Sequence, residues 1–485
     1  MKDNVLIIGS GIGGLSLSII LAKSGFNVTV VEKNPLPGGM MRTYFRKGLE
    51  CHVGIHYLGA LAQGQALRRF FEFMGIFSKI QVQRMGQNGI IDRYVFDDFT
   101  FDLPEGIEAY EQNLRDTFPS EQEQISGIMK YLKPVAQKMN SLDFLFGDQA
   151  GLTDTDLFMP VEEMMNKLKC SPELKGVFSV PSGWIGVPPA QCPVIYHNMA
   201  LASYLLSSWR LKENAQIADV FVNRLKELGG QVITGDKVKN ILVESKTAKG
   251  ISLDSGRELF APVVVGAVHP MAVINMMPEK AVRPLYLSRI SGLKNTLGIF
   301  CLHAELDASA HPEIPFNIFK IKSGKNGEIP DVKYYQIRQG RKKDKSVLSI
   351  LTSGRPEKWE KWKNTHTGKR GENYVQAKEE FAQELISESE QILGSFQGCS
   401  LLDTYTPLSI RDWVNSPEGS AYGVLRSRDQ LLSAAMLNRT SVKGLFLAGQ
   451  SVMAPGILGT IMGSFHTARF IMGHEQFTKK IAMQI

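Results

Sequence analysis

The sequence has few cysteines, few histidines and no cluster of either. Its 485 residues include nine histidines and five widely spaced cysteines, namely Cys51, Cys170, Cys192, Cys301 and Cys399. The number of cysteines is odd, no two form a CxxC pair, and no Cys/His ligand cluster is present. We therefore expect neither a disulfide framework nor a metal site, and we expect a protein of a reducing compartment.

Charge of one sign and long apolar runs are also scarce. Lys and Arg exceed Asp and Glu by 55 to 48, a net charge of +7, with no dense basic run, so nucleic acid is not an expected partner. Residues 5–22 carry no charge, but four glycines and three serines interrupt them. We therefore expect neither a membrane span nor a signal peptide there. The expected location is the cytoplasm, with only peripheral contact to membranes.

The N-terminus contains a glycine motif set between predicted regular elements. Residues 5–8 are apolar and predict a buried parallel strand, and residues 15–24 predict a helix. Residues 27–31 predict a second strand with Glu32 at its end. The sequence GSGIGG at residues 9–14 has the GxGxxG spacing of a dinucleotide-binding turn, and the flanking elements make this signal specific.

Each part of this motif has a physical role in holding a dinucleotide. Gly9 allows the tight turn, Gly11 lets the backbone approach a pyrophosphate, and Gly14 lets helix and strand pack closely. The helix N-terminus supplies amide donors and the positive end of its dipole. Glu32, 23 residues after Gly9, can accept hydrogen bonds from ribose hydroxyls and would repel a 2′-phosphate. The expected contacts are Gly9, Ser10, Gly11, Ile12, Gly13, Gly14, Glu32 and Lys33.

The dinucleotide could be NAD or FAD, and the next residues favour FAD. A second glycine pair, Gly38 and Gly39, follows the ribose acid and permits another close approach to the cofactor. Arg42, three residues later, offers a positive charge to the pyrophosphate or the flavin. This arrangement resembles the extended FAD fingerprint of the amine oxidase and phytoene desaturase superfamily.

The chain as a whole predicts an α/β fold, with a Rossmann-like FAD-binding domain of the amine oxidase type and a discontinuous α+β substrate domain. Residues 60–209 have mainly helical patterning, and residues 293–351 alternate as in an antiparallel sheet. A strand at residues 445–448 is followed by a helix at residues 456–472. We assign residues 1–75, 210–275 and 436–485 to the FAD-binding domain, and residues 76–209 and 276–435 to the substrate-binding domain.

Four further segments narrow the resemblance. The sequence GLECHVGIHYLG at residues 48–59 resembles the segment after the FAD arginine in the all-trans-retinol 13,14-reductase (retinol saturase) family and its bacterial relatives. GVPP at residues 186–189 is similar to a mid-chain motif of that family, and TPL at residues 406–408 with PEGSAYG at residues 417–423 resembles a late one. The C-terminal flavin motif has its counterpart at residues 449–459.

The resemblance implies an FAD flavoprotein that acts on a conjugated polyene or isoprenoid lipid and saturates one carbon–carbon double bond. It implies an apolar substrate tunnel against the flavin, with a helix beginning near Gly456 that aims its N-terminus at the flavin. His56 and Tyr57 are the candidate proton donors, Tyr57 first. Further cofactor contacts are expected at Gly54, Val238, Gly449, Gln450, Ser451 and Gly459.

The sequence departs from the family pattern in three places and leaves alternatives open. His52 stands where an acid is usual, Glu213 and Asn214 where a glycine pair is usual, and Ser451 where Asp is common. Carotenoid desaturase, carotenoid isomerase and flavin amine oxidase are the alternative enzymes, and a lipid-binding escort protein is the non-enzyme alternative. No second GxGxxG follows a strand, so the electron donor or acceptor is not identified. The expected partner is a lipophilic small molecule.

Overall fold

The computed structural model describes residues 3–142, 145, 155–212, 215–322 and 331–485. Glu213 and Asn214, where the sequence departs from the family pattern, lie outside these ranges. The described chain is a mixed α/β structure built around one parallel sheet and one larger, mainly antiparallel sheet.

The regular elements alternate along the chain. The strands are β1 (Asn4–Ile8), β2 (Asn27–Glu32), β3 (Thr43–Arg46), β4 (Leu49–His52), β5 (Leu58–Gly59), β6 (Val82–Arg84), β7 (Asp92–Val95), β8 (Thr100–Leu103), β9 (Ser208–Leu211), β10 (Gln231–Thr234), β11 (Val238–Glu244), β12 (Thr247–Leu253), β13 (Glu258–Phe260), β14 (Val263–Gly266), β15 (Ile299–Asp307), β16 (Asn317–Lys322), β17 (Asp331–Gln339), β18 (Lys345–Ser353), β19 (Ser400–Tyr405) and β20 (Leu445–Leu447). The helices are α1 (Ile12–Lys23), α2 (Ala66–Met74), α3 (Ile107–Thr117), α4 (Gln122–Ser141), α5 (Val161–Lys167), α6 (Pro172–Trp184), α7 (Val194–Leu206), α8 (Ala215–Glu227), α9 (Pro270–Asn275), α10 (Pro284–Ser291), α11 (Pro356–Trp359), α12 (Glu372–Leu393), α13 (Pro407–Val414), α14 (Gly456–Met472) and α15 (His474–Lys480).

The parallel sheet has the strand order β10-β2-β1-β14-β20, and every neighbouring pair in it is parallel. Its central strands are rich in Val, Ile and Leu because helices cover both faces of such a sheet. The five strands come from the start, the middle and the end of the chain. The three segments assigned to the FAD-binding domain therefore share one sheet, although the predicted boundaries themselves stay a prediction.

The larger sheet has the order β19-β15-β18-β17-β16-β7-β8. The β7–β8 hairpin joins it through the parallel pair of β7 with β16, so both predicted insertions contribute to one sheet. Helices α4, α6 and α7 pack together beside it. The helical patterning of residues 60–209 gives no sign of strands β6 to β9, which are only three or four residues long.

The apolar run at residues 5–22 forms most of β1 and α1. Within the described ranges, no helix has both the length and the apolar character needed to cross a membrane.

Close backbone contacts hold α1 against β1 and against the C-terminal segment. A Cβ atom at Gly14 would lie 2.1 Å from the carbonyl oxygen of Gly9, and one at Gly13 would lie 2.5 Å from the Cα of Gly449. These distances are far below van der Waals contact, so only glycine fits at either position. A Cβ at Gly11, in contrast, would meet no protein atom within 4 Å.

We predict that Gly14→Ala lowers the free energy of unfolding by roughly 1–3 kcal/mol or more, because the new methyl group meets backbone that cannot move aside. Urea unfolding followed by circular dichroism measures this. Gly11→Ala, compared with Gly14→Ala in protein freed of any bound cofactor, is the matched control, since Gly11 has an ordinary φ of −63° and open space for a side chain. Equal unfolding midpoints for the two variants would contradict the prediction.

Candidate active site

A cavity of about 680 Å³ lies between the parallel sheet, the larger sheet and helices α6 and α7. This volume falls in the usual range for small-molecule and cofactor sites. Most of the residues predicted from the sequence line it: Gly9, Ser10, Gly11, Ile12, Gly13, Glu32, Lys33, Gly39, Gly54, His56, Tyr57, Val238, Gly449, Gln450, Ser451 and Gly459. Gly14, Gly38 and Arg42 lie behind the lining and support it.

The turn between β1 and α1 forms one end of the cavity. Gly9 has a φ of +99°, a conformation that side chains disfavour, and Gly11 presents bare backbone to the cavity. No protein neighbour requires glycine at position 11, so its missing side chain leaves room for a ligand. Helix α1 begins at the same turn and directs its free amide groups there.

Glu32 at the end of β2 is held by four hydrogen bonds. One carboxylate oxygen accepts from the backbone N–H and hydroxyl of Ser10, at 3.0 and 2.6 Å. The other accepts from the backbone and side-chain amides of Asn34, at 2.9 and 2.8 Å. The carboxylate is buried and fixed beside the glycine turn, where a ribose ring could exchange with these donors.

The second glycine pair packs directly on the first turn. Gly38 has a φ of +117° and donates its N–H to the carbonyl oxygen of Ser10 at 3.1 Å. A Cβ at Gly39 would come within 3.1 Å of the Cα of Gly11. Arg42 donates to the carbonyl oxygen of Gly39 at 3.1 Å, and its guanidinium lies 5.4 Å from the centre of the Trp413 ring. In this structure Arg42 therefore stabilises the loop, and a direct contact with pyrophosphate or flavin stays a prediction.

The C-terminal motif closes the cavity from the other side. Gly449 has a φ of +104°, and Gln450 donates to the carbonyl oxygen of Ala421 at 3.1 Å. The Ser451 hydroxyl accepts the N–H of Val424 at 3.3 Å. Helix α14 starts at Gly456, and its first turn borders the cavity, with Gly459 tight against Ala454. The dipole of this long helix therefore points its positive end at the cavity.

Three other predicted contacts also line the cavity. Val238 begins β11, next to an irregularity in its pairing with β12, and is buried. Lys33 donates its ammonium group to the carbonyl oxygen of Asp412 at 2.6 Å. Gly54 lies against Met40, whose carbonyl oxygen would be 3.0 Å from an added Cβ. Which of these residues contacts a cofactor stays a prediction.

The far part of the cavity is apolar and aromatic. It is lined by Tyr57, Trp184, Tyr196, Met199, Tyr204 and Tyr422. The Tyr57 and Tyr204 rings stack with their centres 4.3 Å apart, and Trp184 meets Tyr204 edge-on at 5.2 Å. A flat, extended apolar ligand fits such a wall better than a charged one does.

His56 and Tyr57 stand next to each other in this wall but differ in their partners. Both ring nitrogens of His56 are buried, and neither has a hydrogen-bond partner among the described residues. Burial, with the charges of His303 and Arg338, lowers the pKa of His56 to about 3, so the ring is neutral at physiological pH. The Tyr57 hydroxyl donates a long hydrogen bond of 3.4 Å to Asp92.

Asp92 is the site residue that the sequence did not reveal. Its carboxyl group is fully buried, and its other oxygen accepts from the side-chain amide of Asn317 at 2.7 Å. The Asn317 oxygen in turn accepts from Arg210, Tyr334 and Gln336 at 3.0–3.2 Å. Burial raises the pKa of Asp92 to about 7, although Asn317 and Arg210 favour the ionised form.

His52, the first departure from the family pattern, does not line the cavity. Its Nε2 accepts a hydrogen bond from Arg338 at 2.9 Å. Burial and the charge of Arg338 hold the pKa of His52 well below its usual value, so a neutral ring stands where an acid would have paired with the arginine. The departure therefore changes the charge beneath the cavity wall rather than the wall itself.

The comparisons with known proteins agree with this geometry. The NAD(P)-binding Rossmann-like domain family matches residues 7–73. The all-trans-retinol 13,14-reductase of Danio rerio is 26% identical over 97% of this chain and 86% of its own length. Prolycopene isomerase 2 of an Oncidium hybrid cultivar is 21% identical over 98% of this chain and 85% of its own length.

Two solved structures share the fold. An oxidoreductase from Methanosarcina mazei superposes with a TM-score of 0.67 at 15% identity, covering 96% of this chain and all of the other. Putrescine oxidase bound to putrescine superposes with a TM-score of 0.66 at 14% identity, covering 97% and 99%. The predicted α/β fold of the amine oxidase type is thereby confirmed. The family resemblance is confirmed too: along nearly its whole length this chain is similar to the all-trans-retinol 13,14-reductases and, more distantly, to carotenoid-converting relatives.

Proposed function

We propose that the protein is an FAD-dependent oxidoreductase that saturates a carbon–carbon double bond of a conjugated polyene or isoprenoid lipid. The observation that carries this proposal is the continuity of the cavity: a glycine-lined dinucleotide end opens directly into an aromatic, apolar end that holds Tyr57 and His56. The names of the full-length relatives support the same chemistry. A bound flavin would supply the exchange of hydride with the substrate.

The residues present fit FAD. The bare backbone at Gly11 would face the pyrophosphate, Glu32 the ribose, and Gly39 the adjoining part of the cofactor. The first turn of α14 and the loop at Gly449 would face the flavin end, where the helix dipole favours negative charge. The second glycine pair is the feature that favours FAD over NAD, since it extends the cradle beyond the first turn.

Tyr57 is the proton donor that the geometry supports best. His56 is neutral, and a neutral imidazole is a much weaker acid than an imidazolium. Below pH 7 the Asp92 carboxyl group is mostly protonated and can donate to the Tyr57 oxygen, which leaves the Tyr57 hydroxyl free to point at the substrate. His56, with both nitrogens unpartnered in the described structure, is suited to a polar group of the substrate instead.

A carotenoid isomerase is the second candidate function, because a prolycopene isomerase matches almost the whole chain. Isomerisation involves no net transfer of electrons between cofactor and substrate. The cofactor would therefore end in its starting state, and the product would have the mass of the substrate. Flavin amine oxidase rests on the fold alone, and the intact glycine cradle argues against a flavin-free escort protein.

We predict that the purified protein is yellow and that Gly11→Ala releases or weakens FAD at least about tenfold, because the added methyl group fills the space for the pyrophosphate. Absorbance and fluorescence titration with FAD measure this. Gly292→Ala is the control, because Gly292 has an ordinary φ of −80°, is exposed and does not line the cavity. A wild-type protein without flavin bands after addition of FAD would refute the assignment.

We predict that Tyr57→Phe slows alkene reduction by at least about tenfold while flavin content and flavin reduction are unchanged, since a positioned acid typically contributes roughly 10²–10⁴-fold. Anaerobic mixing of the reduced protein with retinoids and carotenoids, with mass analysis of the products, measures the rate and separates saturation from isomerisation. His56→Gln, which removes the second candidate proton donor, is measured beside Tyr57→Phe. If the substrate reoxidises the reduced flavin of Tyr57→Phe at the wild-type rate, Tyr57 is not the proton donor.

We predict that Asp92→Asn stabilises the protein above pH 7 and progressively less toward pH 4. The folded pKa of about 7 exceeds that of the unfolded chain, so ionisation costs the wild type stability as the pH rises from about 4 to 7. The full cost is roughly 4 kcal/mol at most. Urea unfolding at several pH values measures it, with Asp98→Asn, exposed at the tip of the same hairpin, as the control. A pH-independent difference would contradict the prediction.

A further inference from the structure

An apolar and basic surface lies outside the cavity, on residues 279–291 and 431–443. We call it the 279/431 surface. Leu285 and Leu432 are 85% and 89% exposed, the most of any large apolar residues in the described structure. Met436 is 52% and Leu287 38% exposed in the same two segments. Single exposed leucines are ordinary, but four large apolar side chains gathered in two adjoining segments are not.

The two segments run side by side in opposite directions. At one end the backbone N–H of Arg283 donates to the Ser441 hydroxyl at 3.5 Å. At the other end Lys294 and Gln430 exchange two hydrogen bonds of 3.0 and 3.1 Å. Beneath them lies a common buried cluster that contains Ile290, Leu293, Ala434 and Leu437. The exposed apolar residues therefore sit on a firm support rather than on a loose loop.

Positive charge accompanies the apolar residues. The two segments contain five basic residues and one acidic residue, namely Lys280, Arg283, Arg289, Arg439, Lys443 and Glu279. At the margin of the surface, Asp429 pairs with Lys294 at 3.3 Å and Glu163 pairs with Arg428 at 2.9 Å. Basic side chains beside exposed leucines are the combination that anionic lipid surfaces attract.

The surface is also connected to the cavity wall. Thr296, just after α10, donates its N–H to Gly423 at 2.9 Å and accepts the N–H of Tyr422 at 3.0 Å. Tyr422 and Gly423 both line the cavity. The segment that follows α10 thus links the 279/431 surface to two residues of the cavity wall.

We infer that the 279/431 surface binds the interface of an anionic lipid bilayer, with Leu285 and Leu432 inserted among the headgroups and the basic residues facing them. The inference rests on exposure and charge, and it holds whether or not the proposed function is correct. A second copy of the chain or an acidic protein is a different occupant, which the experiment separates.

The test is sedimentation of the full-length protein with two kinds of vesicle: phosphatidylcholine alone, and phosphatidylcholine in which about one lipid in three is phosphatidylglycerol. We expect binding to the anionic vesicles, at least about tenfold weaker in Leu285→Ser/Leu432→Ser and in Arg283→Gln/Arg289→Gln, and weakened by about 0.5 M salt. Leu285, Leu432 and Arg283 are exposed and Arg289 is half-buried, and circular dichroism checks the fold of each variant.

Matched controls lie elsewhere on the surface. Val375→Ser and Met483→Ser remove apolar residues that are 48% and 79% exposed, and Lys130→Gln/Lys369→Gln removes two exposed charges. These variants should bind like the wild type. Absence of binding, equal binding to neutral vesicles, or equal loss in the controls would overturn the inference. A dimer in analytical ultracentrifugation that Leu432→Ser dissociates would overturn it too, because the surface would then be covered by a second copy.

Discussion

The contact on which the site depends is the approach of two backbones at Gly13 and Gly449. The first belongs to the N-terminal glycine turn and the second to the C-terminal motif, more than four hundred residues later. Because neither carries a side chain, α1 and the loop before α14 meet at van der Waals distance, and the hydroxyl of Ser464 can donate to the carbonyl oxygen of Gly13 at 3.0 Å. Both ends of the chain thereby form one cradle, and every insertion between them is positioned relative to it.

The buried carboxyl group of Asp92 is the second constraint, and it works against stability. A carboxylate in an apolar wall costs free energy unless it is paired, and here amide and hydroxyl donors take the place of a close cation. The network from Asn317 to Arg210 lowers this cost without removing it, which is why the pKa stays near neutral. Perturbed groups of this kind are typical of sites where a proton must be held and given up.

The elements that could be predicted from the sequence are those whose signal is local. The Rossmann turn, the strand at Gln231–Thr234 and the helix at Gly456–Met472 follow from glycine placement, apolar runs and helical period, and the structure agrees within a few residues. The β7–β8 hairpin could not be predicted, because its strands are only four residues long and β7 joins the larger sheet through β16, more than two hundred residues away. Asp92 lies on that hairpin, so its contact with Tyr57 could not be predicted for the same reason.

The two halves of the cavity follow different physical rules, and this explains why they were unequally predictable. The dinucleotide end is suited to bind phosphate and ribose through backbone amides and one carboxylate. Such binding requires particular residues at fixed spacing, which can be recognised in the sequence as short motifs. The aromatic end has to exclude water and enclose an apolar ligand, which many combinations of Tyr, Trp and Met on α6 and α7 satisfy equally well. Its polar groups are then few and individually important. A lipid that enters this end leaves one apolar environment for another, so burial itself does not distinguish between lipids. The selectivity of the site must therefore come from its shape and from the polar groups of Tyr57, Asp92 and His56.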